Sequence, residues 1–427
     1  MKRIVRIAAA CLALLMLGAC AKTPDATASD PAVSGTTASS GGSTTGSTGS
    51  TGGFASESGG STDSTSDGTD NTEVPVTTST TKASVTDPSG HTLEIAYDWH
   101  PGVPGYDAVY EMAVRYDGAP IHVHSLSYAS STAGVSVSGG RVTVPESVRE
   151  RGTDVEVTVT HTSSGLSAST RIPCKTWVNT FNDDFNGDSL DHSLWSDFEP
   201  NTVSEGKATD SSVTVSGNYI VKDGILSLLC TKDPVTVNGK TYEYSSASIA
   251  TDKSFLQKYG CFMARIKIPK EGGINSAFWL IPSSYGKKYG AFLEGQPNVG
   301  CGEVDIIEAS VFWNNQYCIT EHYFDYTDGY RHSSQYQYIT VDGSICDWHT
   351  YAVVWTEDAF YYYCDGQLVR RKAGLTSDGV NGNRSQRMFM LLSMYMYPGD
   401  DTWIGPHDFT DASFPIHMDV DWARAYK

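Results

Sequence analysis

The chain has 427 residues, 39% hydrophobic and 19% charged, with 30 Lys and Arg against 49 Asp and Glu for a formal net charge of -19. That length accommodates two or three folded units, and 41 Gly, 24 Tyr and 9 Trp do not fit a coiled coil, a collagen-like rod or a multispanning membrane protein. The acidity excludes a broad nucleic-acid footprint, so no nucleic-acid partner is expected.

Residues 1–20 read as an export signal. Lys2, Arg3 and Arg6 make a basic start, and residues 7–17 form an apolar run too short to span a bilayer. The run ends in Leu17-Gly18-Ala19-Cys20, which resembles the bacterial lipobox and implies diacylation of Cys20. The expected protein is therefore exported and lipid-anchored to the bacterial cell envelope, at the cell surface, touching the membrane only through that lipid. Residues 21–82 are mostly Ser, Thr, Gly and Asp. They lack the apolar surface that would offset their ordering entropy and read as a disordered tether.

From residue 83 to 176 the pattern changes to short alternating runs, such as Val135-Ser136-Val137-Ser138 and Val155-Glu156-Val157-Thr158-Val159-Thr160. Gly139-Gly140 and Ser163-Ser164-Gly165 punctuate them as turns. This predicts a small immunoglobulin-like β-sandwich, with Trp99, Tyr106 and Tyr110 in core and turn packing. It carries no cluster of catalytic residue types, and its expected role is that of a spacer. Over residues 177–427 strands dominate again, among them Phe262-Met263-Ala264-Arg265-Ile266-Lys267-Ile268, Tyr351-Ala352-Val353-Val354-Trp355 and Phe389-Met390-Leu391-Leu392. They predict a two-sheet sandwich of jelly-roll kind, so the whole folded part is all-β. The cysteines show no zinc-like spacing, and those within strands are expected as buried thiols.

The chemistry concentrates in Gly302-Glu303-Val304-Asp305-Ile306-Ile307-Glu308. On a regular strand Glu303 and Asp305 share one face, while Glu308 falls on the other. A β-bulge at Ile306-Ile307 supplies one extra residue and turns Glu308 back beside the other acids. Three carboxylates on one sheet face gain nothing in stability. Two glutamates about 5–5.5 Å apart are what retaining glycoside hydrolysis needs, one as nucleophile and one as acid/base.

In this setting the sequence resembles glycoside hydrolase family 16, the β-jelly-roll endo-glycanases, over essentially all of residues 177–427. Phe181-Asn182-Asp183-Asp184-Phe185 looks like the family's opening segment, Ala277-Phe278-Trp279 like its "AFW" strand, and Val420-Asp421-Trp422-Ala423-Arg424 like its closing strand. The resemblance implies that Glu303 is the nucleophile, Asp305 its assistant and Glu308 the general acid/base. The inserted Ile is similar to the bulged branch of laminarinases, agarases and carrageenases. His322 matches a cleft histidine on the following strand. Trp279, Trp313 and Trp403 are the aromatic candidates for substrate subsites, with Trp348 and Trp355 assigned to the core. Arg265 is expected to face the cleft or the outer sheet, and Asn218 to reach substrate.

The implied activity is endo-acting, retaining hydrolysis of a polysaccharide by a monomeric enzyme. The leading substrate is a β-1,3- or β-1,3/1,4-glucan, with a β-galactan or a host glycan next. Asn275-Ser276 stands where laminarin-active relatives have Trp-Pro, and Leu391-Leu392-Ser393 departs from their usual Leu-Asn-Leu. The rival readings are a surface glycan-binding lipoprotein without turnover and a transglycosylase using the same glutamates. No cofactor is expected for catalysis. A structural calcium ion is implied at Asp184, the backbone of Gly224 and Asp421, oxygen donors that suit a hard cation.

Overall fold

A computed structural model describes residues 80–198, 212–282, 301–325, 331–373, 387–401 and 403–427. Cys20, the export signal and most of the tether lie outside the described residues. The first strand, Thr80–Thr86, begins ahead of the boundary expected at residue 83.

The N-terminal unit is a sandwich of two antiparallel sheets. One runs Thr80–Thr86, Thr92–Asp98, Ala108–Tyr116, Arg141–Val144, Ser136–Ser138; the other runs Leu126–Ser130, Val155–His161, Ser167–Ile172. Alternation decides which side chains go inside: Leu93, Ile95, Val142, Val155, Val157 and Val159 are fully buried between the sheets, while the residues between them face outward.

The C-terminal unit is the expected jelly roll. Its acid-bearing sheet includes, in spatial order, Tyr244–Ala250, Met388–Met396, Ile274–Pro282, Cys301–Ala309, Gln316–Asp325 and Arg331–Thr340. Behind it lies a back sheet containing Ile225–Cys230, Ile416–Tyr426, Gly260–Lys267, His349–Trp355, Ala359–Cys364 and Gln367–Ala373. Phe278, Leu280, Val304 and Ile319 from one sheet meet Phe262, Ile266, Val353 and Val420 from the other in a common core. Asp223-Gly224, Asn238-Gly239 and Asp365-Gly366 all have positive φ at both residues, the backbone that closes two-residue hairpins with the twist of the flanking strands.

The sandwich is not a spacer. Every residue of His349–Trp355 and Ala359–Cys364 is buried, so both faces of these strands are covered. The core covers one face. On the other, Val103 of the sandwich packs with Cys261, Met263, Ala352, Val354, Tyr361 and Tyr363. His100, 4% exposed, places Nδ1 3.2 Å from the Tyr363 hydroxyl, and Trp99 stands edge-on to Tyr361 at 6.2 Å. Tyr106 lies so close to Gly366 that a Cβ there would fall 2.4 Å from its ring.

Candidate active site

The bulge occurs where the alternation requires it. Trp279 pairs with Asp305 and Phe278 with Ile307, so Ile306 is the extra residue on the acidic strand. Ile306 and Ile307 are both 1% exposed and both join the core, which frees Glu308 to return to the face of Glu303 and Asp305. The next strand pairs Glu303 with His322, Asp305 with Thr320 and Glu308 with Cys318. The three acids are 2–3% exposed and His322 1%.

His322 Nε2 is 3.1 Å from Asp305 Oδ2 and 4.0 Å from Glu303 Oε1. The Thr320 hydroxyl donates to Glu308 Oε2 at 3.1 Å, and the Asn275 amide approaches Glu308 Oε1 at 3.5 Å. Burial, and after it the charge of Glu321, pushes the Asp305 carboxyl well above the ordinary carboxylate range. A protonated Asp305 beside Glu303 removes a like charge from a nucleophile's surroundings and leaves a proton to share with it.

That shift has a stability consequence. In the unfolded chain Asp305 titrates near 3.8. Above that pH the folded state binds the proton more tightly than the unfolded state, so stability declines as pH rises toward the folded value. Asp305→Asn is expected to raise the urea midpoint at pH 7 while lowering kcat. A midpoint that falls would mean that the site favours the charged form.

Sequence reasoning missed the group behind the acids. Glu321, between Thr320 and His322, points the opposite way, into the core, and is wholly buried. It meets Arg370 of the back sheet at 2.9 Å, and this ion pair ties the two sheets together behind the catalytic face. Removing one partner of a buried pair leaves the other uncompensated, which costs about 3–5 kcal/mol. Arg370→Met should therefore destabilise by that order in urea unfolding, and adding Glu321→Gln should recover most of it. No recovery in the double variant would mean that packing, not charge, holds the sheets together here.

The aromatic candidates are placed differently from expectation. Trp279 is on the acid-bearing face but 2% exposed, with Phe198 edge-on to it and its indole N–H donating to Ser393 Oγ at 3.1 Å. It forms floor, not an open platform. Trp313 and Trp403 pack on each other at 5.7 Å, and Trp313 donates to the Trp403 carbonyl, so their faces are largely taken. Among the described residues on this face, Tyr336, opposite Thr320, is 39% exposed, in a Tyr-Gln-Tyr alternation legible in the sequence. Trp355 is core as expected, but Trp348 is only half-buried, under the Arg265 guanidinium.

Arg265 belongs to the back sheet and pairs with Asp421 at 2.5 Å, away from the acids. Alternation gives its side of a strand but not which sheet that strand joins. The Asn218 amide donates to the Leu229 carbonyl and Ser245 Oγ, so this side chain braces two strands.

The calcium expectation meets a competitor. Asp184 is ion-paired to Arg424 at 2.6 Å and Asp421 to Arg265, while Gly224 turns a hairpin. Each of the two carboxylates already holds a guanidinium on one oxygen, so a bound ion would share the carboxylate with that arginine. A second cluster, His349 with Cys364 and Asp365, is a cation site in another sense. Both ring nitrogens face acceptors, Asp365 Oδ2 at 2.6 Å and the Ser344 carbonyl at 2.9 Å, and the imidazole pKa is raised to about 10, chiefly by Asp365. Charged His349 has no lone pair for a metal. Cys174, Cys230, Cys261, Cys346 and Cys364 are free thiols.

A family model described as Beta-porphyranase A-D, GH16 domain, matches residues 176–427. Glucan endo-1,3-beta-glucosidase A1 of Niallia circulans is 27% identical over 265 residues, covering 57% of this chain and 37% of that protein. Keratan-sulfate endo-1,4-beta-galactosidase of Sphingobacterium multivorum is 25% identical over 278 residues, 64% of this chain and 60% of that one. The chain thus spans less than two thirds of the length of these relatives. Among solved structures, the laminarinase catalytic domain from Thermotoga maritima MSB8 is 25% identical, with a TM-score of 0.48 over 59% of this chain and 99% of that chain.

Proposed function

The chain belongs to glycoside hydrolase family 16, and from that premise we propose that it is an endo-acting, retaining glycosidase cleaving internal β-linkages of a polysaccharide. The observation that carries this is the bulged acidic strand, which gathers Glu303, Asp305 and Glu308 on one buried face with His322 beside Asp305.

In the first step the Glu303 carboxylate attacks the anomeric carbon while Glu308 gives its proton to the departing glycosidic oxygen. The bond to the leaving sugar breaks as the bond to Glu303 forms. In the second, water loses a proton to Glu308 and attacks the same carbon, returning Glu303 as a carboxylate. Asp305 and His322 hold Glu303 in place and limit the negative charge around it. Thr320 orients the acid/base through its hydrogen bond to Glu308. Tyr336 is the ring on which a sugar can stack.

The relatives divide the substrate between β-1,3-glucans and β-1,4-galactans, and both stay within the proposal. Purified protein incubated with β-1,3-glucan, β-1,3/1,4-glucan, β-1,4-galactan and mucin glycans should release oligosaccharides from one of them. The newly formed reducing ends should be β at the earliest times by NMR. Binding to one polymer with no product from any would make it a glycan-binding protein.

Surface anchoring through the Cys20 lipid belongs to the same proposal. Cys20→Ser is expected to move the protein from the membrane fraction to the soluble fraction of cells expressing it. An unchanged distribution would overturn the anchor while leaving the enzyme reading intact. The catalytic reading treats the protein as a monomer.

A further inference from the structure

Far from the acids, where the N-terminal sandwich meets the back sheet, lies a cavity of about 550 Å³, a size in the range of small-ligand sites. Trp177 and Trp422 give it two aromatic walls, and Arg149 and Lys175 contribute cations. Two buried donors beside it have no acceptor: the Trp177 indole N–H and Arg149 Nε. Arg149 is 1% exposed and donates only to main-chain oxygens, those of Val103 and Tyr106. Among the described residues no carboxylate stands within ion-pair distance of it.

A buried guanidinium without a counter-charge is costly. The other arginines lining the cavity, Arg265 and Arg424, already hold Asp421 and Asp184. Of the acids, Glu146 accepts from the Gly105 amide, and Glu150 is exposed at the rim, where it can accept sugar hydroxyls. Lys175 is exposed and lies over the Trp177 ring at 5.1 Å. Uncommitted positive charge and aromatic faces in one cavity suit a ring with an apolar side, hydroxyl edges and one anionic substituent.

We propose that this interdomain cavity is a second glycan site that binds a pyranose bearing a carboxylate or sulfate group, its charge toward Arg149 and Lys175 and its ring against Trp177 and Trp422. The site is separate from the catalytic cleft, and its occupancy does not depend on cleft chemistry.

The full-length chain with Glu308→Gln, which prevents turnover, is titrated calorimetrically with 3′-sialyllactose, 6-sulfo-N-acetyllactosamine and lactose. At least one anionic probe should bind about tenfold or more tightly than lactose, and which one does so separates carboxylate from sulfate. Trp177→Ala, which removes a ring face, should weaken the preferred probe by about tenfold or more. Lys175→Glu, a charge reversal at an exposed residue, should weaken the preferred probe by about tenfold. With Glu308 intact, neither change should alter kcat on a short oligosaccharide. Equal affinity for all three probes, or a preferred probe whose affinity neither change lowers, would overturn the site.

Discussion

Glu303→Gly is expected to cut turnover by about ten-thousand-fold or more, and azide should restore part of it by a route that gives a product of inverted configuration. Glycine vacates the space that the nucleophile fills, opposite the departing oxygen. Azide entering there makes one displacement, and the product is an α-glycosyl azide from a β-linked substrate. Glu308→Ala should behave in the contrary sense. An aryl glycoside, whose leaving group needs little protonation, still forms the covalent Glu303 intermediate in this variant. Azide then attacks where water would, giving a β-glycosyl azide with configuration retained. NMR of the two products is decisive. A β-azide from Glu303→Gly and an α-azide from Glu308→Ala would mean that the roles of Glu303 and Glu308 are exchanged, and full activity in Glu303→Gly would remove the double-displacement reading altogether.

The acidic strand was legible because a period of two is unforgiving. Glu303 and Glu308 are an odd number of residues apart, and only an inserted residue lets both face the cleft while Val304, Ile306 and Ile307 stay in the core. Other site features were not legible because they depend on strands far apart in sequence. Trp279 lies on the face expected of it, but whether a ring is a platform or a floor depends on what covers it, here Phe198 from a distant segment. The pairing of Glu321 with Arg370 joins two sheets, and nothing near either residue announces the other. Arg265 and Asp421 each read as a site residue when taken singly, yet they neutralise one another on adjacent strands of the back sheet.

The role of the N-terminal sandwich was in fact written in the C-terminal strands. Ala359-Phe360-Tyr361-Tyr362-Tyr363 is apolar without alternation, and so is Tyr351-Ala352-Val353-Val354-Trp355. A jelly-roll sheet with a wet outer face alternates; a continuous apolar run says that both faces are covered. Deleting residues 80–176 uncovers Met263, Val354, Tyr361 and Tyr363, among others. At about 1.5–3 kcal/mol for each large side chain, these four alone forfeit on the order of 6–12 kcal/mol, comparable to the whole stability of an ordinary domain. The same surface becomes a contiguous apolar patch, which favours association. A chain beginning at residue 177 is therefore expected to aggregate, or to elute as oligomers with a sharply lowered Tm. Gly366→Ala in the full chain should reproduce the effect in part, because its Cβ would meet the Tyr106 ring at a position where φ is +79°. Size-exclusion chromatography and thermal unfolding of both proteins measure this. A monomeric truncation with unchanged Tm would return the sandwich to the status of a spacer.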